Sequence, residues 1–216
     1  AKLVLITTLS LFTCAALQAQ ELDKSATISF FTGAMNYQGD LNPNSFKFSH
    51  SNFAGGIIVR KPLSRWFTLR AGVTMGKIKA DDKWNRDYLQ VRNLNFTSDI
   101  KEAYLGLELT VLDISSKRFT PYLYGGIAVF HFNPWTYDNS HTKTYLKPLS
   151  TEGQGLPQYP TQKPYNLTQL ALPFGGGLKF AVSDDFSVGI EFSQRKTFTD
   201  YLDDVSSHYV DRDALL

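Results

Sequence analysis

The sequence has very little cysteine and lacks a long apolar run beyond its first 20 residues. Its single cysteine, Cys14, lies within that first run, so the rest of the chain cannot form a disulfide framework. No later segment approaches the roughly 20 consecutive apolar residues of a membrane-spanning helix, which excludes a helical membrane protein. The net charge is only +2 for 216 residues. This charge gives no argument for nucleic-acid binding, and no nucleic-acid partner is expected.

The chain does contain strict alternation of apolar and polar residues, most clearly over residues 100–111. A period of two indicates a β-strand. One parity is aliphatic, whereas the other combines glutamates, a tyrosine and a glycine. Glycine suits the solvated face of a soluble sheet poorly, but inside a narrow barrel it leaves room for long charged side chains. We therefore expect the aliphatic parity to face lipid and the polar parity to face the lumen.

The same pattern recurs along the chain and gives seven predicted strands. The connections between them alternate between long and short, with long ones at 38–51, 79–94 and 133–167. This asymmetry is typical of bacterial outer-membrane barrels, which have short periplasmic turns and long surface loops. The sequence thus predicts an all-β, antiparallel up-and-down transmembrane β-barrel of about eight strands in the bacterial cell outer membrane. The predicted strands are residues 26–37, 52–61, 65–78, 95–112, 121–132, 168–182 and 186–198.

The two ends of the chain carry separate predictions. Lys2, an apolar run and then small residues indicate a secretory signal over residues 1–19, which leaves residues 20–216 as the barrel domain. Cys14 fits a lipidation site poorly because Phe12 and Thr13 precede it. The last residues, YVDRDALL, do not resemble a strand that could pair with the first. We therefore expect the closing C-terminal strand to be missing and the barrel domain to be C-terminally incomplete.

Seven charged residues fall on the inward parity, four of them basic and three acidic. Since a barrel of about eight strands is filled by its own side chains, we expect a salt-bridge network across the lumen. A path for protons or ions is the alternative. The predicted network comprises Arg60, Arg70, Glu102, Glu108, Lys179, Glu191 and Arg195.

Aromatic residues near strand ends are predicted to form the interfacial girdles of the barrel. The longest loop, 133–167, contains five prolines. Its length suggests a lid over the barrel mouth, and an ordinary ordered surface loop is the alternative. The predicted girdle residues are Trp66, Tyr122, Tyr124, Phe130, Phe132 and Trp135.

No pattern indicates an enzyme, a metal site or a cofactor. The four histidines show no metal-ligand spacing, and His131 is the only one in a predicted strand. There is no G-x-S-x-G motif. Two groups of aspartates could hold calcium in surface loops, but neither has an EF-hand pattern, and solvated carboxylates explain them better. These groups are Asp81 with Asp82, and Asp200 with Asp203 and Asp204.

Four short stretches together resemble the DUF6089 family of outer-membrane barrels, to which the small barrel of the type IX (Por) secretion and gliding machinery belongs. They are YQGDL at 37–41, RNLNF at 92–96, LSTEGQGL at 149–156 and RKTFTDYLDDVSSHYVD at 195–211. The resemblance implies a non-enzymatic accessory subunit that helps to associate a periplasmic lipoprotein ring with the outer membrane. A small barrel that binds or transports a ligand through its long surface loops is the alternative.

A periplasmic ring component could reach only the short turns of such a barrel. The turn at 113–120, DISSKRFT, is the longest of them and carries two adjacent basic residues, which would suit an acidic patch on a partner. Solvation of the turn, or contact with outer-membrane lipid, explains these charges equally simply. The candidate partner-binding residues are Ser116, Lys117 and Arg118.

Overall fold

The computed structural model describes residues 5–16, 26–39, 50–84, 94–110, 118–138, 140–183, 185–199 and 201–204. Ten strands form one antiparallel sheet, in which eight long strands make a closed ring and two short ones a side hairpin. The ring strands are β1 (Leu5–Ala16), β2 (Thr27–Gln38), β3 (Asn52–Pro62), β4 (Phe67–Asp81), β5 (Asn95–Thr110), β6 (Phe119–His131), β9 (Thr168–Ala181) and β10 (Phe186–Thr197). The hairpin strands are β7 (Pro134–Tyr137) and β8 (Lys143–Tyr145), and short 3-10 helices lie at Asp82–Trp84, Lys147–Leu149 and Tyr201–Asp203.

The ring follows the order β4–β3–β2–β1–β10–β9–β6–β5, and β5 pairs back onto β4. The β4–β5 pairing is long, running from Phe67 opposite Leu109 to Asp81 opposite Asn95. Closure of the ring gives each long strand a hydrogen-bonded neighbour on both sides. An unpaired strand edge in lipid would leave backbone N–H and C=O groups without hydrogen bonds. The predicted all-β, antiparallel barrel of about eight strands is therefore confirmed.

All seven strands predicted from the alternation are present. The largest difference at a described end is three residues, where β4 continues to Asp81 instead of ending at 78. The predicted end of β5 at residue 112 lies outside the described residues. The connections also alternate as expected, with short ones such as that between Pro62 and Phe67 at one end of the barrel. We call the opposite end, where the long loops lie, the mouth.

The strand that closes the ring differs from the expected one. We expected a missing C-terminal strand, yet β1 lies between β2 and β10, with Leu5 opposite both Gln38 and Lys196. The segment LITTLSLFTCAA has threonines on both parities, which hides its period of two and makes it resemble the apolar core of a secretory signal. The secretory signal at residues 1–19 stays a prediction, because a strand pairing does not show whether the segment is removed.

The two faces of β5 are sorted as predicted. Leu105 and Leu107 point outward and are each 49% exposed, whereas Glu108 on the other parity is fully buried. A protein in water would bury such leucines rather than its glutamates. Comparable apolar residues are exposed on the neighbouring strands, which is the arrangement of a transmembrane barrel. They include Ile57, Val59, Val73, Met75, Leu123, Ile127, Val129, Leu170, Leu172, Phe174, Leu178, Ile190 and Phe192.

This apolar band ends at a defined level near the mouth. Along β4 the outward residue after Met75 is Lys77, and along β5 the residue beyond Ala103 is Lys101. At the same level the inward-facing side chains become apolar, and Ile100 is buried there. The strands therefore project beyond the lipid band and enclose a small apolar core. Among the described residues, no helix is long and apolar enough to cross a membrane.

The predicted aromatic girdle is wrong for most of its members. Tyr122, Tyr124, Phe130 and Phe132 lie on the inward parity of β6 or directly after it, and all four are buried. Trp135 is also buried, on the side hairpin, whereas Trp66 is half exposed beside the short β3–β4 turn. Nearness to a strand end does not decide where an aromatic side chain points. Its parity along the strand does.

Candidate functional site

The centre of the lumen is occupied by ion pairs around Glu108. Its carboxylate accepts a hydrogen bond from Arg60 Nε at 3.1 Å and lies 3.6 Å from Arg70 Nη1. Lys179 donates to the other carboxylate oxygen. Glu108 is fully buried and is thus balanced by three cations from β3, β4 and β9. Buried charges are tolerated only when they are paired and hydrogen-bonded in this way.

Arg70 carries this network across the lumen to Glu191 on β10. Its Nη1 and Nη2 donate to the two carboxylate oxygens at 3.0 and 3.2 Å, which is the bidentate geometry that a guanidinium favours. Tyr122 donates to the same carboxylate at 2.6 Å. The Arg70 guanidinium carbon lies 3.6 Å from the centre of the Tyr124 ring, and Nη2 donates to the hydroxyl of Tyr104 at 2.8 Å. Arg70 therefore ties β4 to β5, β6 and β10.

A second ion pair lies nearer the mouth. Arg195 donates through Nη2 to Glu102 at 3.0 Å and through Nε to the second carboxylate oxygen at 3.2 Å. Its Nη1 also donates to the hydroxyls of Thr8 and Ser193, each at 2.5 Å. Because Thr8 belongs to β1, this arginine connects the closing strand to β5 through the interior.

Close packing around these groups depends on glycine. A Cβ added at Gly72 would lie 2.7 Å from Tyr104 Cε1, and one at Gly177 would lie 2.6 Å from the Tyr122 hydroxyl. Carbon atoms do not approach so closely without displacement of a neighbour. The glycines on the inward parity therefore make room for the tyrosines, which occupy the space that a pore would need.

The structure places all seven residues of the predicted lumen network inside the barrel and brings them together in these two groups. The tyrosines that complete the network were not predicted as its members. Tyr104 was recognised as inward-facing, and the alternation of β6 offered the same signal for Tyr122 and Tyr124. Of the partner-binding candidates, Ser116 and Lys117 lie outside the described residues, and Arg118 is exposed just before β6.

Above the lumen, the mouth is filled by stacked aromatic rings. Phe132 follows β6 and stacks on Tyr165 with ring centres 6.1 Å apart, and Tyr165 stacks on Tyr201 at 4.6 Å. Tyr37 at the end of β2 packs edge-on against Phe96 at 5.1 Å. The long loop thus sends Tyr165 into the same core as residues of the barrel wall. This packing agrees with a cover over the mouth.

Two aspartates after β10 fasten the surrounding segments to one another. Tyr37 donates its hydroxyl hydrogen to Asp203 Oδ2 at 2.8 Å. The hydroxyls of Tyr165 and Thr151 donate to the two carboxylate oxygens of Asp204 at 2.5 and 2.8 Å. Asp204 adopts a left-handed backbone conformation, with φ of 64°. Such a conformation is sustained in a non-glycine residue when the surrounding contacts determine it.

Burial at the mouth shifts the pKa values of two side chains, Asp204 and Tyr165. The pKa of Asp204 is raised above its ordinary value of 3.8, first by burial and further by the charge of Glu152, while its hydrogen bonds oppose the shift. The pKa of Tyr165 is raised well above its ordinary value of 10.0 by burial and by Asp204. Tyr165 therefore keeps its hydroxyl hydrogen and remains a donor to Asp204.

Three of the aspartates considered for calcium are buried rather than solvated. Asp82, Asp203 and Asp204 are buried, Asp82 accepts the backbone N–H of Leu94 at 3.1 Å, and Asp200 lies outside the described residues. In the part of the chain that the structure describes, no three His, Cys, Asp or Glu side chains are placed to hold a metal ion. These carboxylates act as acceptors that fix loops, so the interpretation as solvated groups was wrong for Asp82, Asp203 and Asp204. Asp81 is half-buried and accepts the backbone N–H of Lys83 at 2.9 Å.

Described residues from each of the four stretches quoted for the family resemblance meet at the mouth. Tyr37, Phe96, Thr151 and Asp204 come from the four different stretches and contact one another directly or through a shared neighbour. A family model matches residues 2–214 and carries the description "Domain of unknown function (DUF6089)". The chain belongs to the DUF6089 family.

Curated proteins gave no significant match. Among solved structures, the chain is similar to Ail, the attachment invasion locus protein of Yersinia pestis, crystallised with the heparin analogue sucrose octasulfate. The two share 8% sequence identity with a TM-score of 0.35, over 89% of this chain and 97% of that chain.

Proposed function

We propose that this DUF6089 chain is a non-enzymatic barrel of the bacterial outer membrane that acts as an accessory subunit of a type IX secretion and gliding apparatus, associated with its periplasmic ring. Family membership supports this proposal, together with the likeness of its four mouth stretches to the small barrel of that apparatus. The exposed apolar band supports the membrane location. Its role in this proposal is structural: the barrel provides a fixed attachment point in the membrane.

The filled lumen favours a structural role over transport. Arg60, Arg70 and Lys179 surround Glu108 at the centre, and Tyr165 and Leu202 belong to the apolar core of the mouth. A solute path would have to separate buried charges that are each other's partners, at a cost of several kcal/mol per broken pair. A barrel built in this way resists deformation of its wall, which suits an anchoring subunit.

A periplasmic partner would meet the end of the barrel opposite the mouth. The short connections there lie between Pro62 and Phe67 and between Ala181 and Phe186, and Arg118 directly precedes β6 at the same end. Arg118 is exposed, and its carbonyl accepts the backbone N–H of Ala181 at 2.8 Å, so its backbone is fixed while its side chain is free to meet a partner.

Site-specific photo-crosslinking in cells tests this proposal. A photoreactive residue at Arg118 is compared with one at Gln158, which is exposed in the long loop at the mouth. We expect a crosslink to a periplasmic lipoprotein from position 118 and none from position 158. Crosslinks from 158 alone would reverse the proposed orientation, and the absence of a ring component from both positions would reject the accessory role.

A small barrel that binds or transports a ligand is the second candidate. It is favoured by the ordered hairpin β7–β8, which holds Lys143 at 4.4 Å from the Trp135 ring centre and so presents a preformed surface above the mouth. Conductance in planar bilayers separates transport from the structural role. Because the lumen is filled, we expect no stable porin-like conductance, whereas large uniform channels would favour transport.

A further inference from the structure

One face of the hairpin β7–β8 is formed by three aromatic side chains and one lysine. Trp135 lies opposite Tyr145, and Tyr137 lies opposite Lys143. Side chains that are directly opposed, or that are two residues apart on one strand, share one face of a sheet, and we call these four residues the hairpin patch. Tyr137 is 59% exposed and Tyr145 is 43% exposed. The anchoring role proposed above does not use this surface.

Contacts within the hairpin patch hold its side chains in place. The rings of Trp135 and Tyr137 pack edge-on with their centres 5.2 Å apart. Lys143 Nζ lies 4.4 Å from the ring centre of Trp135 and 5.0 Å from that of Tyr145. The indole N–H of Trp135 is buried without an acceptor among the described residues, whereas a buried indole usually has one. The hairpin patch is therefore preformed and includes an unused hydrogen-bond donor.

Lys143 gives the hairpin patch a positive charge. Its side chain is exposed and forms no ion pair within the part of the chain that the structure describes. Asp138 is the only acidic residue in the sequence from Pro134 to Tyr145. Its carboxylate accepts the backbone N–H groups of two residues in the hairpin turn, each at 2.8 Å. The ammonium group of Lys143 is therefore available to an anion from outside the chain.

The hairpin patch lies on the outer side of the wall and above the lipid band. Trp135 pairs with Thr97, which is on the same parity of β5 as its exposed leucines. Toward the mouth this parity runs from Ala103, its last apolar residue, through Lys101 and Asp99 to Thr97. Three steps of about 7 Å each, reduced by the strand tilt, place Thr97 about 15 Å above the hydrocarbon. Because the headgroup layer is only about 5 to 7 Å deep, an interfacial girdle does not account for these rings.

The size and the composition of the hairpin patch favour one class of ligand. Its Cβ atoms outline a rectangle of about 5 by 7 Å, which is the size of a sugar ring. A stable protein–protein contact needs a far larger surface, about 800 Å² on each partner. Aromatic faces carry partial negative charge and attract the C–H groups on the apolar face of a sugar ring. The layer directly above the outer leaflet of a bacterial outer membrane consists of sugars attached to its lipid, and their anionic groups match the charge of Lys143.

We infer that the hairpin patch binds an anionic saccharide of the outer-leaflet lipid. Tyr137 and Tyr145 stack on sugar rings, and Lys143 contacts a phosphate or carboxylate group. The shift of Lys143 toward that anion uncovers the indole of Trp135, whose N–H can then donate to a sugar oxygen. This inference rests on the membrane location proposed above and does not depend on the accessory role. Binding here fastens the longest surface loop to the sugar layer around the barrel.

Titration of the full chain in detergent micelles with a fluorescently labelled oligosaccharide tests this inference. The probe is the core oligosaccharide of outer-membrane lipopolysaccharide, used either intact or after removal of its phosphates and reduction of its carboxyl groups. Fluorescence anisotropy measures the dissociation constant of each form. We expect the intact probe to bind about fivefold more tightly than the neutral probe, because the charge of Lys143 acts only on the anionic groups.

Matched variants separate the contribution of the rings from that of the charge. Y137A/Y145A should weaken binding of the intact probe about tenfold, whereas Y137F/Y145F keeps both rings and should bind it like the wild type. K143Q should weaken binding of the intact probe about fivefold and leave binding of the neutral probe unchanged. The control K163Q removes a positive charge from an exposed position elsewhere in the same loop and should change neither.

Heat-dependent mobility in electrophoresis shows that each variant is folded. Equal binding of the intact probe by Y137A/Y145A and the wild type would overturn the inference, and so would an equal effect of K143Q and K163Q. Displacement of the probe by inorganic phosphate alone would indicate an ion site and would also overturn it, as would capture of a protein by the hairpin with no oligosaccharide bound. The crosslink from position 118 is read at the other end of the barrel, so failure here leaves the accessory role separately testable.

Discussion

Tyr37 donates its hydroxyl hydrogen to Oδ2 of Asp203 at 2.8 Å, across 166 residues of sequence. The bond joins the end of β2 to the short 3-10 helix that follows β10, and both groups are buried. It thus ties together two strand ends that are separated in the ring by β1. The segment after β10 is held at the mouth by a side-chain bond rather than by strand pairing.

Replacing Tyr37 by phenylalanine removes this bond but keeps the ring that packs on Phe96. A hydrogen bond to a charged acceptor contributes about 1.5 to 3 kcal/mol, so we expect Y37F to lower the local stability of the mouth by that order. Hydrogen exchange of the segment around 201–204 measures it. The control Y145F alters an exposed tyrosine and should leave exchange unchanged. Equal exchange in both variants would show that the bond contributes nothing.

The strands and the facing of their side chains were predictable from sequence because the period of two is local information. Each strand shows it without knowledge of its neighbours, and a charge on the inward parity, such as Glu108 or Arg70, must find a partner inside a narrow lumen. The sequence could not state which charges pair, because pairing depends on strand tilt and stagger around the ring. Arg70, for example, reaches Glu191 on a distant strand.

The mouth was much less predictable. Tyr165, Asp203 and Asp204 lie outside the regular strands, where no period indicates direction, and their burial depends on packing between distant segments. The closing strand was missed for a different reason. Thr7 and Thr8 occupy opposite parities of β1, so the segment lacks the alternation that marks the other strands.

The mouth should also respond to pH through Asp204. Its pKa is raised above 3.8, mainly by burial, so the packed mouth favours the protonated carboxyl. The resulting contribution to stability is fully present below pH 3.8 and is lost as pH rises through the higher pKa of the folded state. We expect protection of residues 147–167 from hydrogen exchange, corrected for intrinsic rates, to be greater in acid. D204N should flatten this dependence, and protection that increases with pH in the wild type would contradict it.

Stability of the wall near the mouth should depend on the pair formed by Glu102 and Arg195. Replacing Glu102 by glutamine leaves a buried guanidinium without its opposite charge, which costs about 3 to 5 kcal/mol. Urea unfolding in detergent micelles, followed by electrophoretic mobility, measures the loss. The double variant E102L/R195M removes both charges and should be considerably more stable than E102Q. If E102L/R195M were less stable than E102Q, the attraction between Glu102 and Arg195 would exceed the cost of removing the two charges from water.

The last prediction tests whether the outward face of β5 contacts lipid. Leu107 points outward near the middle of the apolar segment of β5, between Leu105 and Leu109, and lies opposite Leu69 on β4. An arginine at this depth would place a charge in hydrocarbon at a cost of about 2 to 4 kcal/mol. We expect L107R to reduce the folded fraction in membranes, whereas L107M, which keeps an apolar side chain of similar size, should assemble normally. T97R puts the same charge on the same face of β5 but above the lipid band, and we expect it to assemble far better than L107R. Equal assembly of L107R and T97R would mean that the face carrying Leu107 does not contact lipid.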